Sequence, residues 1–217
     1  MLEVSAVDWT RDDADGARTD EFAFVDALVR IGVTETGEAQ IGWTPLGHVR
    51  QRSAPRTVDK STGVGDLYVA WRQSLTGVRG PVAVQGFVTA PVGADAIGAG
   101  TWTVGVLLPV SFDLSENLSF AATPQLSAEA DGSGDGRHAY YGSAAGLSFG
   151  LLPNLGASAE LFAFRDDDPA GATTQVGTAA SFAWQVVDEQ QVDAQVTLGL
   201  NRDTPDVQVI VGLARRF

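Results

Sequence analysis

The sequence predicts an all-β fold, a transmembrane up-and-down antiparallel β-barrel of about twelve strands, forming one domain over residues 1–217. Three observations carry that expectation. Hydrophobicity alternates with a period of two along almost the whole chain, connections alternate between short and long, and the polar strand face is built from small residues instead of lysine and glutamate.

Taken in order, the candidate strands fall at 2–9, 22–33, 38–51, 66–75, 81–92 and 101–113, then 118–130, 138–151, 155–165, 173–187, 191–201 and 206–217. Between the second and third stands the tight turn Thr34-Glu35-Thr36-Gly37. Equally short connections follow at Thr76 to Gly80, Leu114 to Asn117, Leu152-Pro153-Asn154 and Asp188-Glu189-Gln190. Residues 10–21, 52–65, 93–100, 131–137 and 166–172, with Arg202 to Pro205, form the longer set. Short turns on the periplasmic side and long loops outside give this alternation, and an even strand count puts both termini on the short-turn side.

The later strands show the two faces most clearly. Leu155, Ala157, Ala159 and Leu161 alternate with Gly156, Ser158 and Glu160. Val176, Thr178, Ala180, Phe182, Trp184 and Val186 oppose Gln175, Gly177, Ala179, Ser181, Ala183 and Gln185. Val192, Ala194, Val196, Leu198 and Leu200 oppose Asp193, Gln195, Thr197, Gly199 and Asn201. In the last strand Val207, Val209, Val211, Leu213 and Arg215 face lipid. Arg215 is tolerable there because a lipid-facing arginine near the interface costs about 0–1 kcal/mol, against about 2–4 at the midplane.

A soluble β-sandwich or lipocalin-like barrel would share the period of two, but a water-facing sheet normally carries many Lys and Glu. Here that face is Gly, Ser, Thr, Ala and Gln, while acidic residues gather in connections such as Asp12-Asp13-Ala14-Asp15 and Asp166-Asp167-Asp168. Aromatic residues lie near strand ends, among them Trp9, Phe22, Trp43, Trp71, Trp102, Phe112, Tyr140, Tyr141, Phe149, Trp184 and Phe217, as interfacial girdles require. No run approaches 18 apolar residues, so a transmembrane helix is not expected. Met1-Leu2-Glu3-Val4-Ser5 shows no basic segment followed by an apolar core, as a mature form would.

Composition excludes several functions. A net charge of −13 with one lysine, Lys60, argues against nucleic acid as a partner. The absence of cysteine removes disulfides, thiolate nucleophiles and sulfur-ligated zinc, and His48 and His138 are the only imidazoles. Neither histidine stands beside a nucleophile motif, and no phosphate loop or nucleophile elbow occurs, so neither an enzyme nor a cofactor is expected. Asp131-Gly132-Ser133-Gly134-Asp135-Gly136 resembles the start of a calcium loop, but Gly142 stands where the bidentate Glu belongs, and a flexible outer loop is the expectation.

An ordered set of pieces carries a family resemblance. They are Leu28-Val29-Arg30-Ile31-Gly32-Val33-Thr34, Glu38 with Gly42-Trp43, Gly63-Val64-Gly65-Asp66-Leu67 leading to Arg72, and Thr89-Ala90-Pro91-Val92-Gly93. Gln195 to Asn201 and Pro205-Asp206-Val207 through Gly212-Leu213-Ala214-Arg215-Arg216-Phe217 complete them. In order and spacing the chain resembles the outer-membrane β-barrel "transporter" family named for the meta-pathway of phenol degradation. Two departures stand out: Pro91-Val92-Gly93 replaces the family's Pro-Thr-Gly, and Arg215 replaces an aromatic or hydrophobic residue in the barrel-assembly signal that ends at Phe217.

Strict alternation places Glu3, Asp26, Arg30, Glu38, Arg72, Glu129, Glu160 and Asp193 in the lumen, together with the aromatic residues Phe24, Tyr68, Phe87, Phe162 and Phe164. The charged set lines a constriction or forms an ion-paired plug around Arg30 and Arg72. The aromatic set contacts a solute or fills a narrow barrel. The expected function is a passive channel in the bacterial outer membrane for small solutes, hydrophobic or aromatic ones among them. The alternative is a non-conducting barrel that serves as a structural or interaction platform. Expected partners are outer-membrane lipid, the barrel-assembly machinery during biogenesis and a small-molecule solute; the sequence does not set the oligomeric state.

Overall fold

In the structure, a computed structural model, residues 1–14, 16–53, 57–78, 80–134 and 136–217 are described. Asp15 of the acidic run, Arg79 of the second short turn, Asp135 of the calcium-like loop and residues 54–56 lie outside them. The described residues form strands and connections with no helix that could cross a membrane.

Fifteen strand segments follow one another. They are β1 (Leu2–Ala14), β2 (Ala17–Gly32), β3 (Gly37–Trp43), β4 (Leu46–Ser53), β5 (Thr57–Gly63), β6 (Leu67–Ser74), β7 (Ala83–Ala90) and β8 (Thr103–Leu107). Then come β9 (Val110–Ser115), β10 (Leu118–Ala130), β11 (Arg137–Leu152), β12 (Leu155–Asp166), β13 (Thr173–Val187), β14 (Gln190–Gly199) and β15 (Val207–Arg215). Every pairing is antiparallel, and β1 pairs with both β2 and β15, which closes the sheet. Three staves are interrupted: β3 and β4 both pair with β2, β5 continues into β6, and β8 and β9 both pair with β10. The fold is therefore a closed barrel of twelve staves.

Breaks fall where the backbone cannot continue a ladder. Pro45 and Pro109 lack the N–H a ladder needs and sit at the β3–β4 and β8–β9 interruptions. Burial is inverted relative to a water-soluble protein. Ala70, Ala83 and Ala179 are the only buried hydrophobic residues among those described, whereas Leu161 is 63% and Phe182 55% exposed on the outer wall. Such a surface needs lipid around it. Trp43, Trp71 and Trp184 are exposed on that wall, and Arg215 lies over the Phe217 ring with its guanidinium carbon 5.3 Å from the centroid.

From β10 onward the expected boundaries agree with the structure to within two residues. Near the N-terminus two corrections are needed. Residues 10–21 are not a long loop, since β1 and β2 continue as a paired ribbon to Ala14 and Ala17. Within 52–65, β5 returns along β4 from Thr57 to Gly63. These ribbons carry charge on both faces, which reads as a loop in the sequence; beyond the hydrocarbon layer a strand meets water or polar headgroups on both sides and tolerates it.

Register brings the third correction. Ser5 opposes Asp26 and Val7 opposes Phe24, so Ala6 and Val25 are each one residue out of the ladder. Val25 has φ 59°, a rare conformation for a β-branched residue, and the double bulge reverses the alternation above it. Phe24 therefore faces outward with Val7 and Leu46 rather than into the lumen, and Asp8 and Thr10 take the inner face.

Candidate functional site: the barrel lumen

Glu3, Arg30, Glu38, Gln40, Tyr68 and Gln85 converge on the inner wall from β1, β2, β3, β6 and β7. Arg30 Nη1 donates to Glu3 Oε1 at 3.0 Å, across the seam between β1 and β2. Its Nη2 and Nε donate to Glu38 Oε1 at 2.6 and 3.0 Å. The same oxygen accepts from Gln40 Nε2 at 2.6 Å; Gln40 Nε2 also reaches Gln85 Oε1 at 3.4 Å, and Gln85 Nε2 donates to the Tyr68 hydroxyl at 2.7 Å. Charge-assisted bonds of this kind are the strong ones in a half-wet interior. Arg72 lies directly across from Glu38 in the ladder, yet among the described residues it makes no ion pair with it.

This chain of side chains stands between two spaces. A cavity of about 880 Å³ has Glu3, Asp26, Tyr68 and Asp193 in its wall. A smaller one of about 330 Å³, toward the short turns, is bordered by Arg30, Glu38 and Arg72. Asp26 is held by Thr44, whose hydroxyl donates at 2.8 Å. Glu129 and Glu160 belong to the opposite part of the wall: Glu129 accepts from Thr103 at 2.7 Å and Ser127 at 2.8 Å, and Glu160 from Ser158 at 3.3 Å.

The lumen aromatics are laid flat. Phe87 covers Gly105, Phe162 covers Gly177 and Phe164 covers Gly142; at each of these glycines a Cβ would run into the ring. Phe164 also stacks on Tyr140 with centroids 5.4 Å apart, and Tyr68 on Phe87 at 5.6 Å. Glycine opposite an aromatic ring lets the ring close over bare backbone, a packing device of curved sheets. Of the expected aromatic set only Tyr68 reaches the large cavity.

Toward the long loops, residues 93–100 fold back onto the inner wall. Asp66 accepts the N–H of Gly93 at 2.8 Å and of Ala99 at 2.7 Å, and Ala94 N–H bonds the Val64 carbonyl at 2.9 Å. Gly47 and Gly63 leave room for Ile97 and Ala94, which would collide with any Cβ there. A third cavity, about 490 Å³, lies beside Ile97 with Asp8, Glu21 and Gln208, and shares Thr44 and Asp66 with the large one. Sequence reasoning did not single out Asp66, Gln40 or Gln85 as site residues. Asp66 was visible only as the end of Gly63-Val64-Gly65-Asp66, whose glycines already signalled a close backbone approach.

At the outer rim His138 lies between two carboxylates, with Nδ1 3.1 Å from Asp131 and Nε2 2.7 Å from Asp166. Asp131, His138 and Asp168 place ligand atoms within 4.8 Å of one another, but the Asp131 oxygen is already engaged by the imidazole. Asp168 accepts N–H groups from Ala170 and Gly132, both at 2.8 Å, and these bonds hold its carboxyl below the usual carboxylate range. A depressed pKa means the tie is fully present above the ordinary carboxylate pKa and is lost as pH falls through the lowered value. Hydrogen exchange around Gly132 and Ala170, corrected for intrinsic rates, should accelerate only as pH falls below the ordinary aspartate value of about 4 in the wild type; Asp168→Asn should flatten that response.

A closed, lipid-facing antiparallel barrel with a polar lumen defines a bacterial outer-membrane β-barrel protein. The chain belongs to the family described as "Putative MetA-pathway of phenol degradation", which matches residues 3–217. Among solved structures it is similar to the COG4313 outer membrane channel from Pseudomonas putida F1, with 16% identity, a TM-score of 0.75, and coverage of 100% of this chain and 94% of that one. It is also similar to the KdgM porin, determined in complex with disordered oligogalacturonate, at 9% identity, a TM-score of 0.53, and coverage of 97% and 98%. No curated protein matches in sequence.

Proposed function

We propose that the protein is a passive outer-membrane channel for small solutes, with an acidic lumen that favours cations and neutral molecules over anions. The carrying observation is the cavity of about 880 Å³ inside the closed wall, into which Glu3, Asp26 and Asp193 project with Arg30 as the nearby cation. Rings of Asp and Glu raise local cation concentration in a pore. A preference for aromatic solutes draws support from the phenol pathway in the family description and from Tyr68 in the cavity wall.

The five-strand hydrogen-bond network and the inward-folded segment 93–100 support a second reading, a barrel whose lumen is closed and which acts as a platform. Planar-bilayer recording separates the two. Discrete steps with a reversal potential displaced toward the potassium equilibrium potential are expected for the channel. Silent bilayers, with no swelling of protein-loaded liposomes in small sugars or phenols, would leave the platform reading.

A further inference from the structure

The paired ribbon that rises above the membrane on β1, β2, β4 and β5 presents a cationic outer face on a protein whose net charge is −13. Ladder register aligns three outward rows. Trp9, Phe22, His48 and Thr62 form the first, Arg11, Asp20, Arg50 and Lys60 the second, and Asp13, Arg18, Arg52 and Val58 the third. Successive rows are about 7 Å apart along the strands. The first row is an interfacial aromatic band, with Trp9 and Phe22 stacked at 6.5 Å, so the cationic rows lie at headgroup depth.

Two of the five cations are committed. Asp20, only 5% exposed, accepts from Arg11 Nε at 2.9 Å and from Arg18 Nε at 3.1 Å, and Arg11 also covers the Trp9 ring at 4.6 Å. Arg50, Arg52 and Lys60 have no hydrogen bond or ion pair among the described residues, and the Nε atoms of Arg50 and Arg52 are buried without a partner. The ladder sets Arg50 directly opposite Lys60 and Arg18 directly opposite Arg52. Like charges at directly opposed positions destabilise a sheet, and an unsatisfied buried donor adds to the cost. The chain's single lysine is spent here, where folding alone disfavours it.

We infer that Arg50, Arg52 and Lys60 form a binding site for the phosphate of a phosphorylated glycolipid headgroup in the outer leaflet. A phosphate dianion between β4 and β5 would relieve both opposed pairs and accept from the unsatisfied Nε donors, while the aromatic row beneath meets the acyl boundary. The site is on the outside of the wall and does not depend on whether the lumen conducts.

The test uses the full chain in detergent micelles doped with bis-phosphorylated lipid A or with the same lipid dephosphorylated, and lipid retention is read by native mass spectrometry. Wild type should retain the phosphorylated form at least tenfold more strongly. The triple variant Arg50→Gln, Arg52→Gln, Lys60→Gln should lose on the order of a hundredfold at low salt, and Arg202→Gln, on the exposed β14–β15 connection, should change nothing. Should the triple variant lose the heat-modifiable folded form, Lys60→Gln and Arg52→Gln are read singly, each expected at about a fivefold loss. Equal retention of the two lipids by wild type, or unchanged retention in the folded variants, overturns the site. Full displacement of lipid A by millimolar pyrophosphate assigns the pocket to free phosphates and overturns the lipid assignment.

Discussion

Arg30→Ala is expected to open the lumen to cations and to loosen the tie across β1, β2 and β3. The guanidinium is the one group that bonds Glu3 on β1 and Glu38 on β3 together, at 3.0 and 2.6 Å. Without it two carboxylates remain, with Arg72 across the ladder from Glu38, on the borders of cavities that also hold Asp26 and Asp193. Removing one partner of a buried pair costs about 3–5 kcal/mol, but these side chains are 24–34% exposed, so about 1–2 kcal/mol is expected. A unit charge about 4 Å from a passing ion is worth about 1 kcal/mol even at the dielectric constant of water, roughly fivefold in local cation occupancy. Bilayer recordings should therefore show larger cation conductance and stronger cation selectivity, with a lower thermal midpoint. Arg72→Ala removes a cation that bridges no pair of the described residues and should alter selectivity in the same direction with little change in stability. Unchanged conductance and unchanged midpoint in Arg30→Ala would remove the bridge from both roles.

Gly142→Val should be the most damaging single substitution in the wall. A Cβ at Gly142 would strike the Ala163 carbonyl oxygen and the Phe164 Cα, both main-chain atoms of the neighbouring strand, as well as the Phe164 ring. A flexible side chain could move aside, but here β11 and β12 would have to separate within a ladder that runs from Tyr140 to Leu152. Overpacking costs about 1–3 kcal/mol where side chains can yield, and about 3 kcal/mol or more is expected where only backbone can. Urea unfolding in lipid vesicles, followed by tryptophan fluorescence, should show a lower midpoint at unchanged slope. Gly86→Ala is the matched control, since nothing lies within 4 Å of the Cβ it would add. A wild-type midpoint for Gly142→Val would mean that the β11–β12 contact is looser than its geometry.

Much of the fold was legible because the side-chain period of a strand is a local property. From β10 to β15 each residue's face follows from its neighbours in sequence, and Glu129, Glu160, Phe162 and Asp193 face inward as alternation requires. The pairing of Arg30 with acidic neighbours was also within reach, since opposite charges on one inner face of adjacent strands tend to meet. The aromatic set was half legible: its inward direction at Tyr68, Phe87 and Phe162 follows from alternation, but its flattening onto Gly105 and Gly177 depends on the strand next door.

By itself, then, the sequence determined an all-β chain with one lipid face and one small-residue lumen face, its short turns, and the termini that meet at one end. Only the tertiary structure decided three things. The double bulge at Ala6 and Val25 turned Phe24 to lipid and Asp8 to the lumen, and valine gives no local sign of a positive φ. The β1–β2 and β4–β5 ribbons continued as strands beyond the hydrocarbon layer, because pairing with a neighbour outweighs local polarity once both faces meet a polar medium. Register across three strands then brought Arg18, Arg50, Arg52 and Lys60 side by side, although up to 42 residues separate them in the sequence. Periodicity is written residue by residue, whereas register is set by pairs of strands, and a single extra residue in either strand changes which side chains meet.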